Sequence, residues 1–236
     1  MHEALLFSQI PLERFDQVLH ILAGVTGSQP FPYQDQIALF AQLRLPETAA
    51  SKKKAASATP QPAGSQQQRW IHKLVRPVTI NTASPESQGQ WRLRVEQTPD
   101  PSVKDHIARE VSESDVRDVK AFEDAEAFRF LGQQYVLGHR FVSGNVVARI
   151  IRVHLAKEQA QADKVLEGPP LALSDLDILD PSGAFLVEVS VRMEDRKNTK
   201  IAEQAFAELE KFKRDMEGVI DLRVPDRLSL DTRVKG

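Results

Sequence analysis

The stretch that most constrains the fold is a pair of alternating apolar runs near the middle of the chain. Gln134–Val142 and Val146–Leu155 are separated only by Ser143, Gly144 and Asn145. Val, Ile, Tyr and Phe suit a pleated surface, and a Gly-Asn pair supplies the backbone freedom that a tight reversal requires. The stretch therefore predicts a long antiparallel β-hairpin.

The charges on this hairpin favour one register over the other. A two-residue loop would place Arg140 opposite Arg149, and like charges directly opposite each other destabilise a strand pair. A three-residue loop avoids that pair and gives Asn145 the left-handed conformation, which Asn tolerates better than most residues. We therefore predict the three-residue loop, with one apolar face and one mixed face, as in a barrel or a curved sheet with a polar-lined side. The apolar face would carry Tyr135, Leu137, Phe141, Val147, Ile151 and Val153.

Length and composition limit the class of protein. With 236 residues, 41% of them hydrophobic, the chain can bury one sizeable core, and we expect a single domain over 1–236. A formal net charge of −2 gives no global basic field for DNA, RNA or a membrane surface. The absence of cysteine excludes disulfides, thiolate metal sites and cysteine nucleophiles, and a nuclear or cytosolic location is the natural interpretation.

The period of the apolar residues changes repeatedly along the rest of the chain. Alternation predicts strands over 2–10, 35–45, 70–81, 90–96 and 184–193. Helical spacing predicts helices from residue 12 to a stop at Gly24 or Gly27, over 119–131 and over 199–217. Residues 98–114 support no firm assignment, 157–183 have the composition of a surface connection, and 219–224 are one more possible strand. The pattern predicts a β-rich, antiparallel α+β fold with about three helices.

One segment has the composition of a disordered insert. Among apolar residues, 46–68 contain only alanine, so burial cannot offset the entropy lost on ordering. Lys52, Lys53 and Lys54 lie inside this segment and could serve as a nuclear import signal. Three lysines in a solvated loop usually have no such role, and this is the interpretation we favour.

The sequence offers little catalytic chemistry. A metal-dependent triphosphate phosphatase inside a barrel needs acidic side chains at i and i+2 on one strand face. The acids on the predicted strands, Glu3, Glu96 and Glu188, are isolated from one another. The only Glu-x-Glu pair, Glu208 and Glu210, lies on the last helix, where the two side chains diverge by about 200°. We therefore predict no catalytic, cofactor-binding or metal-binding residues, with the phosphatase as the alternative function.

Four arginines are the remaining candidates for a binding site. Arg140, Arg149, Arg152 and Arg192 lie on predicted strands and could form a positive cluster for an anion or RNA. The alternative is that they pair with acids such as Glu188 or face water, and the near-neutral net charge favours it. Whether the group binds an anion stays open at the level of sequence, as do the residues that bind partners.

Several stretches together resemble a known family. MHEALLFSQIP, the helix ending LAGVTGSQP, the hairpin FLGQQYVLGHRFVSGNVVARIIRVHL and the C-terminal FLVEVSVRM and DLRVPDRLSLDTRVKG are similar to the family of Mediator of RNA polymerase II transcription subunit 18, in its filamentous-fungal form. The resemblance covers most of 1–45 and 119–236, is weaker across 69–118 and leaves 46–68 as a variable insert. None of these motifs is a catalytic signature, and the specificity lies in their order and spacing.

The resemblance implies a fold and a role. The family fold is an antiparallel β-barrel, here of about eight strands, flanked by helices. The role is that of a nuclear, non-enzymatic coactivator subunit in the Mediator head module, reaching the RNA polymerase II machinery through the complex without binding DNA or a membrane. The family pairs with a related barrel, subunit 20, and a C-terminal helix of subunit 8 tethers that pair.

The composition of 46–68 generates a first testable prediction. Deleting these residues should leave folding intact, because the segment has no side chains suited to a core. Thermal unfolding followed by circular dichroism measures the effect. A large drop in melting temperature would show instead that the insert is packed.

Overall fold

The computed structural model describes residues 1–43, 69–79, 89–157, 166–196 and 198–234. The insert predicted at 46–68 and the end of the strand predicted at 70–81 lie outside these ranges. Nine strands are described: β1 His2–Ile10, β2 Phe31–Gln42, β3 Ile71–Pro77, β4 Arg92–Glu96, β5 Ile107–Asp115, β6 Phe128–Ser143, β7 Val146–Ala156, β8 Leu176–Ile178 and β9 Phe185–Met193. Two α-helices accompany them: α1 Phe15–Thr26 and α2 Thr199–Asp215.

Eight of the strands form a closed antiparallel barrel. Their order is β6-β2-β3-β4-β5-β1-β9-β7, and pairing of β6 with β7 closes the circle. The ninth strand, β8, pairs with the end of β7 through Leu176–Ile178. The closed barrel confirms the predicted β-rich α+β fold and its eight strands. The described ranges contain two α-helices, where about three were expected. No helix of these ranges is long and apolar enough to cross a membrane.

The hairpin that organises the barrel has a different register from the predicted one. Ser143 pairs with Val146, so the loop consists of two residues, with Gly144 in the left-handed region at φ 58°. Arg140 therefore does lie opposite Arg149, and the three-residue loop is wrong. The like-charge pair is tolerated because neighbouring strands engage both guanidinium groups. Arg149 lies opposite Glu188 of β9 and forms an ion pair with it, and Arg140 lies over the Phe31 ring of β2.

The main apolar core lies outside the barrel wall, under the two helices. The outward faces of β1, β6, β7 and β9 pack against α1 and α2 in one cluster. Within α2, Ala205, Leu209 and Phe212 are buried, as is Met216 directly after it, whereas Ile201 is 43% exposed. Helix α1 continues through Gly24 and ends at Gly27, whose φ of 63° gives the left-handed cap. At the end of α2, Gly218 has φ 81°.

The helix predicted at 119–131 is wrong. The chain forms a short 3-10 turn, Val119–Phe122, and β6 begins at Phe128. The Asp118 carboxylate accepts a hydrogen bond from the Lys120 backbone N–H, and Asp124 accepts one from that of Glu126, each at 2.9 Å. Such Asp turns compete with helix formation. Most of β5 lies within residues 98–114, and β8 lies within 157–183. In place of the possible strand over 219–224, the chain forms one isolated bridge between Phe7 and Arg223.

The closeness of β6 and β7 generates a second prediction. A Cβ at position 138 would lie 1.9 Å from the Ile150 carbonyl oxygen, so Gly138→Ala should destabilise the fold by about 1–3 kcal/mol through overpacking. The control is Gly24→Ala on the exposed side of α1, where no atom lies within 4 Å. It should stabilise the helix by about 0.5–1 kcal/mol. Denaturant unfolding measures both, and equal effects would contradict the close strand approach.

Candidate functional site

The inward face of the barrel carries charged side chains. Trp91, directly before β4, and Leu93 on β4 belong to an outer apolar cluster, while Arg94 and Glu96 line the lumen. Both faces of the strand predicted over 90–96 therefore have neighbours, although Arg92 at its start is exposed. Glu3 and Glu96 are only 2% and 4% exposed.

Three arginines hold the carboxylate of Glu3. It lies in register between Arg109 of β5 and Arg192 of β9. Arg94 reaches it from β4, with its Nη2 atom 2.7 Å from Oε2 and 2.8 Å from Oε1. Arg109 Nη2 lies 3.2 Å from Oε2, and Arg192 Nε lies 3.1 Å from Oε1. Each oxygen of this buried carboxylate therefore has two arginine partners.

The carboxylate of Glu96 is held in the same way. Lys73 Nζ, Arg94 Nε and Arg109 Nη1 each lie 2.7 Å from one of its oxygens. Burial by itself would raise the pKa of Glu3 and of Glu96, but the neighbouring cations outweigh it and hold both pKa values below the usual range. Both acids are therefore ionised and fully engaged, which leaves them poorly placed as metal ligands. Across the described ranges, no group of three or more His, Asp and Glu side chains could hold a metal ion.

One end of the barrel, which we call the open mouth, forms a cavity of about 660 Å³. At its wall, Arg149 Nη1 donates to the Tyr33 hydroxyl at 2.7 Å, and the Tyr33 hydroxyl is hydrogen-bonded to Asp35. Burial raises the pKa of Tyr33 to about 12, so the hydroxyl keeps its proton. The residues that line the open mouth are Phe31, Pro32, Tyr33, Gln34, Asp35, Pro77, Val78, Thr79, Arg92, Arg140, Val147, Arg149, Ser190 and Arg192.

The C-terminal tail crosses the other end of the barrel. The Phe7 N–H donates to the Arg223 carbonyl at 2.9 Å, and the Ile71 N–H donates to the Thr232 carbonyl at 2.8 Å. The Thr232 hydroxyl also donates to the Glu96 carbonyl. Between these points, residues 229–232 line the lumen, whose cavity is about 480 Å³. The tail therefore tethers β1, β3 and β4 to one another across this end.

An apolar groove lies between the tail and β8 and shares Phe7, Ile151 and Leu186 with the lumen cavity. This groove, called the β8 groove below, has a volume of about 500 Å³. Leu179 at its rim is 53% exposed and Ile178 is 42% exposed. Its other apolar lining residues are Phe7, Ile151, Val153, Ala184, Leu186, Val224 and Pro225. Uncovered apolar surface of this kind marks interaction sites on soluble proteins.

The four candidate arginines do not form one cluster. Arg140, Arg149 and Arg192 line the open mouth, but Arg152 lies on the outer wall, with its guanidinium 3.7 Å from the Phe185 ring centre and bonded to the Gly183 carbonyl. The predicted pairing with acids holds for Arg149 and for Arg192.

Sequence reasoning missed the other lumen cations, Lys73, Arg92, Arg94 and Arg109. The alternation Arg92-Arg94-Glu96 contained the signal for two of them, but nothing local showed that this face turns inward. On α2, Glu208 accepts a hydrogen bond from Asn145 of the hairpin loop at 3.0 Å, so it helps to dock that loop.

The lumen network generates a third prediction. Glu3→Gln should destabilise the protein by about 3–5 kcal/mol at neutral pH, because it leaves buried guanidinium groups without their counter-charge. Folding lowers the Glu3 pKa, so its contribution is complete above the unfolded value of about 4.3 and is lost as the pH falls below it. The variant should therefore lose less stability than wild type on acidification.

Urea unfolding at several pH values measures this effect, with the exposed Glu13→Gln as the control. Parallel pH curves for Glu3→Gln and wild type would contradict a charged, paired Glu3.

Comparison with known proteins agrees with this architecture. Residues 2–233 match the family described as Med18 protein. Curated proteins named Mediator of RNA polymerase II transcription subunit 18 from Yarrowia lipolytica and Aspergillus niger are 22% and 23% identical, each aligned over 100% of both chains.

Two solved structures share the fold. A chain in a structure of the Schizosaccharomyces pombe Mediator head module has a TM-score of 0.70 at 16% identity, covering 95% of this chain and 99% of that one. Protein PH1819 of Pyrococcus horikoshii has a TM-score of 0.51 at 15% identity, covering 97% of each chain. The family match over nearly the whole sequence confirms the resemblance found in the motifs, and the chain belongs to the Med18 protein family.

Proposed function

We propose that this barrel is a non-enzymatic assembly platform in the head module of the Mediator complex, working in the nucleus. As a Med18-family protein, the chain is a Mediator subunit that acts in RNA polymerase II transcription. The observation that carries the assembly role is the β8 groove, an apolar surface left uncovered by this chain. The ion-paired lumen acids support the same view, because they are committed to structure and do not favour the phosphatase alternative.

The family resemblance suggests which partners use the platform. The related barrel of subunit 20 would dock on the outer wall or a strand edge. An amphipathic helix from the C-terminus of subunit 8 would lay its apolar face in the β8 groove, as helices do in hydrophobic grooves. The groove suits this occupant because its floor is apolar while its rim carries the charged residues Arg152, Asp180 and Arg223.

The groove assignment generates a fourth prediction. Leu179→Glu should weaken binding of the subunit 8 helix by about 2 kcal/mol or more, since it places a charge where apolar area is buried. Leu228→Glu is a matched control, because Leu228 is 76% exposed and lies outside the groove. The three chains are co-expressed, and the helix retained with the barrel is measured after size exclusion.

Two results would contradict the proposal. If the chain stays monomeric and fully stable with both partners present, the assembly role fails. If the complex forms and Leu179→Glu and Leu228→Glu retain the helix equally, the assembly role stands but the helix binds elsewhere.

A further inference from the structure

The open mouth contains more hydrogen-bond donors than the described chain satisfies. Among the described residues, neither Arg92 nor Arg140 makes an ion pair, and the Arg140 guanidinium lies 5.1 Å from the centre of the Phe31 ring. The Nε atoms of Arg140 and Arg149 are buried without an acceptor in these ranges. A buried donor without a partner is destabilising and is rare in folded proteins. The mouth therefore holds guanidinium donors that the described chain leaves unused.

The carboxylates near the mouth do not fill this role. Glu188 is engaged by Arg149, Glu113 by Arg94 and Arg192, and Asp35 by the Tyr33 hydroxyl. Asp115 lies opposite Arg92 in the β4–β5 register, but the two side chains do not form an ion pair. The arginines that have spare donors, Arg92, Arg140 and Arg149, line one cavity.

The chemistry of these donors favours a phosphoryl oxyanion. The planar guanidinium fork matches phosphate oxygens in a bidentate manner, and several arginines around one anion are the usual way proteins recognise a phosphorylated side chain. We propose that the open mouth binds a phosphoryl group carried by an extended polypeptide segment.

The surroundings of the arginines favour a polypeptide carrier over a nucleic acid. The mouth carries the carboxylate of Asp35 among its cations, so a continuous polyanion would meet Asp35 as well as the arginines. Its rim includes apolar residues: Phe31 is 61% exposed, and Pro32 and Val147 line the same cavity. Such a rim can contact the side chains that flank a phosphorylated residue, and 660 Å³ accommodates more than a single phosphate ion.

The test uses two degenerate peptide libraries on the immobilised full chain. One library has a fixed central phosphoserine and the other a fixed serine, and inorganic pyrophosphate is the competitor. At about 150 mM salt, the phosphoserine library should be retained at least about tenfold more strongly than the serine library. Pyrophosphate should displace it only at a concentration well above that of the peptides.

Matched arginine variants locate the site. Arg92→Gln combined with Arg140→Gln should reduce the phosphoserine preference at least about tenfold, because both changes remove donors from the mouth. Arg129→Gln, the same change near the opposite end of β6, should leave the preference within about twofold. Neither Arg92 nor Arg140 pairs with a buried carboxylate, so the double variant should still fold. If the double variant melts early, Arg92→Gln alone carries the test, since it keeps the Phe31 contact.

Three outcomes would overturn the proposal. Equal retention of the two libraries would show that the phosphoryl group is not what the mouth recognises. Competition by pyrophosphate at the same concentration as the peptides would show that the mouth recognises a free phosphate and not a polypeptide. An unchanged preference in the mouth variants would place the phosphate elsewhere on the chain. None of these outcomes bears on whether the β8 groove binds a helix.

Discussion

The structure depends on the ion-pair network around Glu3 in the lumen. Glu3 meets Arg109 and Arg192 in cross-strand register and Arg94 from β4, so four strands converge on one buried carboxylate. A network of this kind adds little net stability, because desolvation offsets the attraction. It does define the register, since a slip of one residue in β1 would turn Glu3 out of the lumen. Stability must then come from apolar burial on the outer wall, where α1 and α2 cover the largest cluster.

The hairpin register shows that a closed sheet can accept a cross-strand pair that is unfavourable in an isolated hairpin. Considered alone, Arg140 opposite Arg149 is unfavourable, and the pairwise rule correctly disfavours it. In the barrel, each arginine has a second neighbour across the sheet, Phe31 on one side and Glu188 on the other. The row of four residues adds one counter-charge, Glu188, and one aromatic face, Phe31, that the pair alone lacks. A two-residue loop is then the better solution, because Gly144 supplies its left-handed conformation.

The elements that could be predicted from sequence are those whose signal is local. β1, β9, α2 and the hairpin have clear periods and recognisable ends, and they lie close to their predicted bounds. β5 was missed because the prolines and charges of 98–114 obscure its alternation, and its Arg109 and Glu113 face a lumen that forms only when distant strands close. The same holds for the candidate site. Three mouth arginines could be placed on their strands from the sequence, but only the closure of the barrel brings them to one cavity.

The two ends of the barrel would bind partners through different kinds of interaction. At the end crossed by the tail, the β8 groove provides apolar area, and binding there should depend less on ionic strength than binding at the open mouth. At the open mouth, exposed guanidinium groups attract anions over a distance of about one Debye length, roughly 8 Å at physiological salt. Partners at the two ends would therefore respond differently to salt and to phosphorylation. Because the network around Glu3 fixes the wall between them, a partner at one end would not need to change the register of the strands at the other.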